Sequence, residues 1–225
     1  MKKSPIILGL QYGGHDTSAA LMVDGEIVAA CEQERYTLDK HSRLFPNTAI
    51  NDCLKIGHIT IDDVDEISFA FDPFYWIRET YLKTAIESKD RIGFLINDIE
   101  RIKEHYIFEE LVRQKTGFKK NIEFQLHHIC HLASAYYPSG FDEALLISLD
   151  GAGEIETGLI AEGKNGNINI LRSGNRYPDS LGLLYSAITH YLGYKHHCDE
   201  GIIMGLAAFG DPFEKIPEQN RTYYS

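Results

Sequence analysis

Short apolar runs separated by glycine turns open the chain. Residues 6–10 are apolar and rich in β-branched side chains, which predicts a buried strand that ends at a polar glycine turn over residues 11–16. Two further runs, residues 18–23 and 26–31, flank the pair Asp24-Gly25. Because a DG pair between two such runs is a strong hairpin signal, the pattern predicts a three-stranded meander at the start of the chain.

Helical spacing dominates the middle of the chain. Apolar residues recur every three or four positions over residues 46–56, and Gly57 follows as a C-terminal cap. Residues 79–115 combine many charges with Ile, Leu and Phe at the same spacing, which predicts one or two amphipathic helices with a break near Gly93. The remaining elements predicted in this part are strands over residues 67–71 and 122–126 and a helix over residues 128–137.

The opening pattern returns after residue 143. A buried strand over residues 144–149 leads into the glycine-rich turn 150–154, and two more strands are predicted at residues 156–161 and 167–171. Helices are predicted over residues 180–192 and 202–209. A strand that ends in a Gly/Asp turn and precedes a hairpin thus occurs near residue 10 and again near residue 150, which favours two lobes with the same opening motif.

Composition and charge restrict the function classes. Hydrophobic residues make up 44% and charged residues 24% of the 225 residues, as in an ordinary globular protein. The net charge of −11, from 22 basic and 33 acidic residues, argues against nucleic acid or an anionic membrane surface as a partner. No run approaches the roughly 18 apolar residues of a membrane span. The four cysteines form no CxxC pair, so we expect reduced thiols and a cytoplasmic protein.

A histidine pair and a strand-terminal aspartate form the first candidate site. His127 and His131 lie four residues apart, so on a helix both imidazoles share one face and can reach a single metal ion. Asp150 ends a predicted buried strand and precedes Gly151 and Gly153, an arrangement common at phosphate and metal sites in α/β folds. Two imidazoles and a carboxylate suit iron or manganese. The alternative is that the histidines are surface or capping residues and that the glycine turn only ends a strand.

The glycine turn after the first strand is the second candidate site. Gly13 and Gly14 let a phosphate or adenylate group approach backbone N–H donors, and Asp16 can orient a metal ion or a water. Lys40 and His41 belong to the densest basic patch of the first part of the chain, which can hold a phosphate or a carboxylate. The alternatives are a plain hairpin-entry turn and a solvated loop.

The order of these segments resembles the carbamoyltransferase family of the NodU/CmcH type, whose members modify antibiotics and nodulation factors. The resemblance extends to about Gly210. It rests on the segments Gly14-His15-Asp16-Thr17-Ser18-Ala19-Ala20-Leu21, Glu34-Arg35-Tyr36, Lys40-His41, Phe45-Pro46, His127-His128 with His131, Asp150-Gly151-Ala152-Gly153-Glu154, Ser180-Leu181-Gly182-Leu183-Leu184-Tyr185 and Met204-Gly205-Leu206-Ala207.

The resemblance implies an α/β fold of the actin-like type, shared with sugar kinases and chaperone ATPases. Each of its two lobes opens with a three-stranded meander, which agrees with the repeated pattern near residues 10 and 150. Residues 1–143 would form the first lobe with a long helical insertion at about residues 79–116. Residues 144–225 would form the beginning of a second, incomplete lobe.

The resemblance also implies a reaction. In the family, a separate module makes carbamoyl-AMP from carbamoyl phosphate and ATP, and the actin-like domain transfers the carbamoyl group to the hydroxyl of a small molecule at a metal ion. Iron(II) is the expected metal, and His127, His131 and Asp150 are the expected ligands. His15 and His128 are the candidates for the proton-accepting catalytic residue. The residues expected to bind carbamoyl-AMP or phosphate are Gly13, Gly14, Asp16, Lys40, His41, Gly151 and Gly153.

The sequence departs from the family in length and at one motif position. Members are considerably longer, and the carbamoyl-AMP-forming module has no counterpart here. Ile202 replaces a lysine that is common before the Met-Gly-Leu-Ala segment. We therefore expect a fragment that needs a C-terminal half, either on the same polypeptide or on a separate chain. The alternative function is a non-catalytic truncated remnant or a metal- or partner-binding module.

Overall fold

The computed structural model describes residues 4–14 and 16–211, and β-sheets organise its larger part. The strands are β1 (Ile7–Gln11), β2 (Ser18–Val23), β3 (Glu26–Glu32), β4 (Glu66–Phe69), β5 (Asn121–Phe124), β6 (Glu143–Leu149), β7 (Gly158–Lys164) and β8 (Asn167–Ser173). The α-helices are α1 (Glu34–Thr37), α2 (Asn47–Ile56), α3 (Pro73–Ile77), α4 (Lys83–Glu87), α5 (Ile92–Asn97), α6 (Ile99–Tyr106), α7 (Phe108–Thr116), α8 (His127–Tyr136), α9 (Leu181–Tyr191) and α10 (Glu200–Leu206). The predicted catalytic residue His15 lies outside the described residues, as do residues 212–225 of the predicted second lobe.

The first sheet has the strand order β3-β2-β1-β4-β5. The strands β1, β2 and β3 form an antiparallel meander, whereas β4 runs parallel to β1 and β5 runs parallel to β4. Asp24 and Gly25 both have positive φ, at 52° and 84°, as a tight type I′ hairpin requires, and the predicted hairpin is confirmed. Because β1, β4 and β5 are parallel, their carboxyl ends lie at the same edge of the sheet.

One apolar cluster packs against the first sheet. Leu8, Leu21 and Ile67 of the strands have no solvent exposure. The helix α2 buries Ala49, Ile50, Cys53 and Leu54 in this cluster, so the helix predicted over residues 46–56 is confirmed with its apolar face inward. The helix α7 adds Phe108 and Val112 to the same cluster.

The helical segment before β5 is more divided than its sequence predicts. Short helices α4, α5, α6 and α7 follow one another, preceded by α3 and a π-helical turn at Arg78–Leu82. The break predicted near Gly93 lies five residues earlier, at Ser88, where the chain is extended (φ −145°, ψ 123°), and Gly93 itself lies inside α5. A helix tolerates a glycine at a cost of about 1 kcal/mol, so glycine alone does not end it.

The second sheet is an antiparallel meander, β6-β7-β8. Its tight β7–β8 turn uses positive φ at Asn165 and Gly166. The helix α8 packs on one face through Leu132 and Tyr136. The opposite face of β6 is exposed and apolar, since Leu145, Ile147 and Leu149 are 67%, 58% and 66% exposed.

The architecture confirms the predicted α/β class and both three-stranded meanders that the actin-like resemblance implied. By its internal contacts the chain divides into a unit ending at Gly182 and a second unit beginning at Leu183. In the second unit Ser186 Oγ donates to Glu200 Oε1 over 2.6 Å, which joins α9 to the start of α10. Among the described residues, no helix combines the length and the apolar character needed to cross a membrane.

Candidate active site

Two histidines of α8 and the aspartate after β6 meet in one cluster. The Nε2 atoms of His127 and His131 are 2.9 Å apart, and they lie 3.0 Å and 3.2 Å from Asp150 Oδ2. The pair is one helical turn apart on α8, so the predicted HxxxH face exists. Below, these three residues are called the His-Asp cluster.

Backbone contacts fix the position of Asp150. The Gly151 N–H donates to Asp150 Oδ1 over 2.6 Å, which leaves Oδ2 directed at the histidines. The hydroxyl of Ser180 donates to the Asp150 carbonyl oxygen over 2.8 Å. Gly182 packs directly on the same backbone, with space for no side chain between them. Residues 180–182 therefore pack against the backbone of Asp150 and restrict the position of its carboxylate.

Glu154 anchors the first turn of α8. This side chain is 4% exposed, and its Oε1 accepts the N–H groups of Asp72 over 2.8 Å and of His127 over 3.1 Å. Burial raises the pKa of Glu154, opposed by these hydrogen bonds. A carboxylate at a helix N-terminus complements the helix dipole, so Glu154 holds His127 in place.

The electrostatics of the His-Asp cluster favour an ionised carboxylate. Burial acts to raise the pKa of Asp150, but the hydrogen bonds from His127, His131 and Gly151 outweigh it and hold the pKa well below its ordinary range. Burial acts to lower the pKa of His127, but its hydrogen bond to Asp150 and the charge of that carboxylate raise the pKa above the usual value. The cluster therefore combines a negative charge with two imidazole nitrogens at one point.

The donor set fits a divalent transition metal. One ligand atom from each of His127, His131 and Asp150 lies within 4.8 Å of the other two. Two imidazoles with one carboxylate are typical ligands of iron, manganese and zinc. The imidazole of His127 also hydrogen-bonds the backbone of Ala70, the kind of outer contact that orients a ligating histidine. His131 is 49% exposed at its side chain, so the cluster opens to solvent on one side.

His128 lies on a different face of α8. It is 2% exposed, its Nδ1 hydrogen-bonds Ser148 Oγ, and its Nε2 lies 2.9 Å from the Glu156 carbonyl oxygen. Burial lowers the pKa of His128. Gly153 closes over this histidine, since a Cβ there would lie 3.0 Å from His128 Cδ2. The structure thus places His128 in a packed position with both ring nitrogens engaged.

The glycine turn after β1 forms a second group. Gly13 is exposed and has a φ of 90°, and Asp16 Oδ1 lies 2.7 Å from His41 Nδ1. Glu34 Oε2 accepts the His41 N–H over 2.9 Å, and the carboxylates of Asp16 and Glu34 with the His41 ring also satisfy the spacing of a metal site. Lys40 is exposed beside them. The structure therefore brings the predicted turn and the predicted basic patch together.

Three residues that contact the His-Asp cluster or the glycine turn were assigned no role in the sequence analysis. Glu154 and Glu34 lie inside segments that resemble the family, and this was the only sequence signal that could have indicated a role for them. His105 of α6 belongs to no motif, yet its Nε2 lies 3.7 Å from the position of a Cβ on Gly13. Only the packing of α6 against the glycine turn reveals it.

Comparisons with known proteins agree on one family. A family model described as "Carbamoyltransferase N-terminus" matches residues 6–225. The uncharacterized protein sll1178 of Synechocystis is 38% identical over 217 residues, covering 92% of this chain and 35% of that protein. The nodulation protein NolNO of Sinorhizobium fredii is 33% identical over 207 residues, covering 88% of this chain and 28% of that protein.

The chain spans about a third of the length of these curated relatives. Among solved structures, YeaZ from Pseudomonas aeruginosa superimposes with a TM-score of 0.43 at 13% identity, covering 78% of this chain and 68% of that one. Because the family model covers nearly the whole sequence, the chain belongs to the carbamoyltransferase family, in the region described as the family's N-terminus.

Proposed function

We propose that this chain carries the carbamoyl-transfer site of a carbamoyltransferase that moves a carbamoyl group from carbamoyl-AMP to the hydroxyl of a small molecule. The observation that carries the proposal is the His-Asp cluster, found in a chain of this family. Carbamoyl phosphate and ATP are the proposed sources of carbamoyl-AMP, formed by polypeptide beyond these residues or by a separate chain. All four cysteines are free, which supports a reducing, cytoplasmic setting.

The residues of the cluster have distinct roles in this proposal. His127, His131 and Asp150 would hold the divalent metal, with iron(II) as the proposed ion. When bound, such an ion supplies Lewis acidity that polarises a carbonyl group. The Gly151 N–H keeps the Asp150 carboxylate oriented, and Glu154 holds the first turn of α8, which carries His127, in place. These supports leave the ligand atoms little freedom to reorient, as a preorganised site requires.

The proton of the acceptor hydroxyl needs a base close to the reacting atoms. His128 holds Ser148 and the Glu156 carbonyl with its two ring nitrogens, which favours His15 for this role. The glycine turn at Gly13 and Gly14 is the proposed contact for the phosphate of carbamoyl-AMP. The expected contacts at Gly151 and Gly153 are left out of this proposal, because the Gly151 N–H donates to Asp150 Oδ1 and the Gly153 N–H donates to the Glu156 carbonyl oxygen over 2.8 Å. Lys40 and His41 of the basic patch are further proposed contacts for this phosphate, and His41 Nδ1 lies 2.7 Å from Asp16 Oδ1 of the same turn.

Metal binding is the first test. We expect the chain to bind one Co²⁺, used as a spectroscopic probe, with visible d–d absorption. We expect His131→Gln to weaken this binding at least tenfold, because one of three protein ligands is lost. His190→Gln, at an exposed position in α9, is the matched control and keeps the wild-type affinity. Equal Co²⁺ affinity in the wild type and in His131→Gln would contradict the proposed site.

Transfer is the second test. The chain is mixed with the C-terminal portion of a longer relative, radiolabelled carbamoyl phosphate, ATP, Fe²⁺ and a panel of polyols. We expect label in a polyol product for the wild type and its loss in His131→Gln. Metal binding without any transfer would instead support the alternative function of a metal-binding module.

A further inference from the structure

The imidazole of His105 faces the glycine turn after β1 from the helical segment. Its Nε2 and Cδ2 atoms lie 3.7 Å and 4.0 Å from the position of a Cβ on Gly13, so the ring is in contact range of the turn. Gly13 itself is exposed, and its φ of 90° disfavours any side chain at this position. A ligand group that settles on the turn would therefore meet His105 Nε2.

The tautomer of His105 follows from its other nitrogen. The Nδ1 atom lies 2.8 Å from the Arg101 carbonyl oxygen, and a carbonyl only accepts, so Nδ1 must carry the proton. The neutral ring then presents a lone pair at Nε2. In the described part of the chain, this Nε2 has no hydrogen-bond partner.

Packing holds the ring in this orientation. The ring centroid lies 4.7 Å from that of Trp76 and 5.8 Å from that of Phe71. Burial lowers the pKa of His105 and outweighs the hydrogen bond to the Arg101 carbonyl oxygen, which raises it; the charge of Arg101 also lowers the pKa, and that of Glu104 raises it. The ring is therefore kept neutral and acts as a fixed acceptor.

A second hydrogen-bond acceptor without a partner among the described residues lies at the same turn. Gln11 ends β1, its Oε1 is shielded from solvent, and it accepts no hydrogen bond from the described residues. Its amide nitrogen lies 3.9 Å from the position of a Cβ on Gly14. A lone pair repels an anionic oxygen and attracts an N–H or O–H group, so the His105 side of the turn suits a neutral donor.

We propose that His105 Nε2 accepts a hydrogen bond from a neutral donor group of the substrate bound at the glycine turn. Two substrate groups have this chemistry, the carbamoyl amide of the donor and the hydroxyl of the acceptor. The inference rests on the proposed function, and it adds a recognition residue from the helical segment. It places the anionic part of the substrate away from His105, towards the backbone N–H groups of the turn.

A nitrogen NMR experiment on the ¹⁵N-labelled chain tells which of the two groups, the carbamoyl amide or the acceptor hydroxyl, donates to His105 Nε2. The His105 signals are assigned by their absence in His105→Gln, and carbamoyl phosphate, inorganic phosphate and methyl glucoside are added in turn. A shift of Nε2 with carbamoyl phosphate but not with phosphate assigns the carbamoyl amide, and a shift with methyl glucoside assigns the hydroxyl. An equal shift with phosphate, or no shift with any probe, overturns the proposal.

Affinity measurements give an independent readout. His105→Phe keeps an aromatic ring against Trp76 and removes both nitrogens, and we expect it to weaken binding of the active probe about 3- to 10-fold, as for one hydrogen bond. Lys103→Gln, exposed on the same helix, is the control with unchanged affinity. Unchanged affinity in folded His105→Phe overturns the inference. If His131→Gln still weakens metal binding and abolishes transfer, the proposed function stands without it.

Discussion

Gly182 offers a direct test of how the 180–182 segment supports the His-Asp cluster. A Cβ at this position would lie 2.6 Å from Gly151 N, 2.7 Å from the Asp150 carbonyl carbon and 2.9 Å from the Asp150 carbonyl oxygen. All three atoms belong to the backbone, so no side-chain rotation can relieve the contact. Gly182→Ala must therefore displace either α9 or the turn that carries Asp150.

The expected free-energy change combines two opposing effects. Inserting a methyl group into a closely packed position costs about 1–3 kcal/mol. Replacing a helical glycine by alanine gains up to about 1 kcal/mol, because the unfolded chain loses less freedom on folding. We expect a net destabilisation of about 1–2 kcal/mol from these two terms. A shift of the Asp150 turn should also lower metal affinity by about 10- to 100-fold, as the loss of outer contacts does at other metal sites.

The assay pairs thermal unfolding with Co²⁺ titration. Gly93→Ala is the matched control, because Gly93 also lies in a helix but a Cβ there meets nothing within 4 Å. We expect Gly93→Ala to raise the melting temperature slightly and to leave Co²⁺ affinity unchanged. If Gly182→Ala binds Co²⁺ as tightly as Gly93→Ala, the reasoning that Gly182 supports Asp150 is refuted.

Two more substitutions test the anchoring of α8 and the exposed face of β6. Glu154→Gln should destabilise the fold by about 1–2 kcal/mol in urea unfolding, because its amide nitrogen replaces a carboxylate oxygen that faces the His127 N–H; wild-type stability would contradict this role. The double variant Leu145→Thr and Ile147→Thr should reduce self-association in light scattering, since both side chains are mostly exposed on one apolar face, while stability changes by no more than about 0.5 kcal/mol. Undiminished scattering would show that this face does not drive association.

Local sequence signals predicted the elements that local chemistry determines. The Asp24-Gly25 hairpin follows from two residues that accept positive φ, and α2 follows from an apolar stripe with a glycine cap. The spacing of His127 and His131 predicted a shared helix face. In each case the signal and its consequence lie within a few residues.

Contacts between distant segments escaped sequence reasoning. His105 meets Gly13 only because α6 packs beside the first sheet, and nothing near His105 in the sequence marks that contact. Glu154 lies 82 residues from Asp72, whose N–H it accepts. The exact position of the helix break was also missed, since the chain breaks at Ser88 although Gly93 is locally the weaker helix former. These features depend on tertiary packing that one sequence does not encode locally.

The topology of the first sheet explains why the separate candidate groups belong to one region of the fold. The strands β1, β4 and β5 are parallel, so the glycine turn after β1, the segment around Asp72 after β4 and the start of α8 after β5 all emerge at one edge. Ligands of α/β folds bind outside the carboxyl ends of such strands. Glu154 joins two of these exits by accepting the N–H groups of Asp72 and His127. Glu154 thereby ties the start of α8, which carries His127 and His131, to the same edge of the first sheet at which the glycine turn begins.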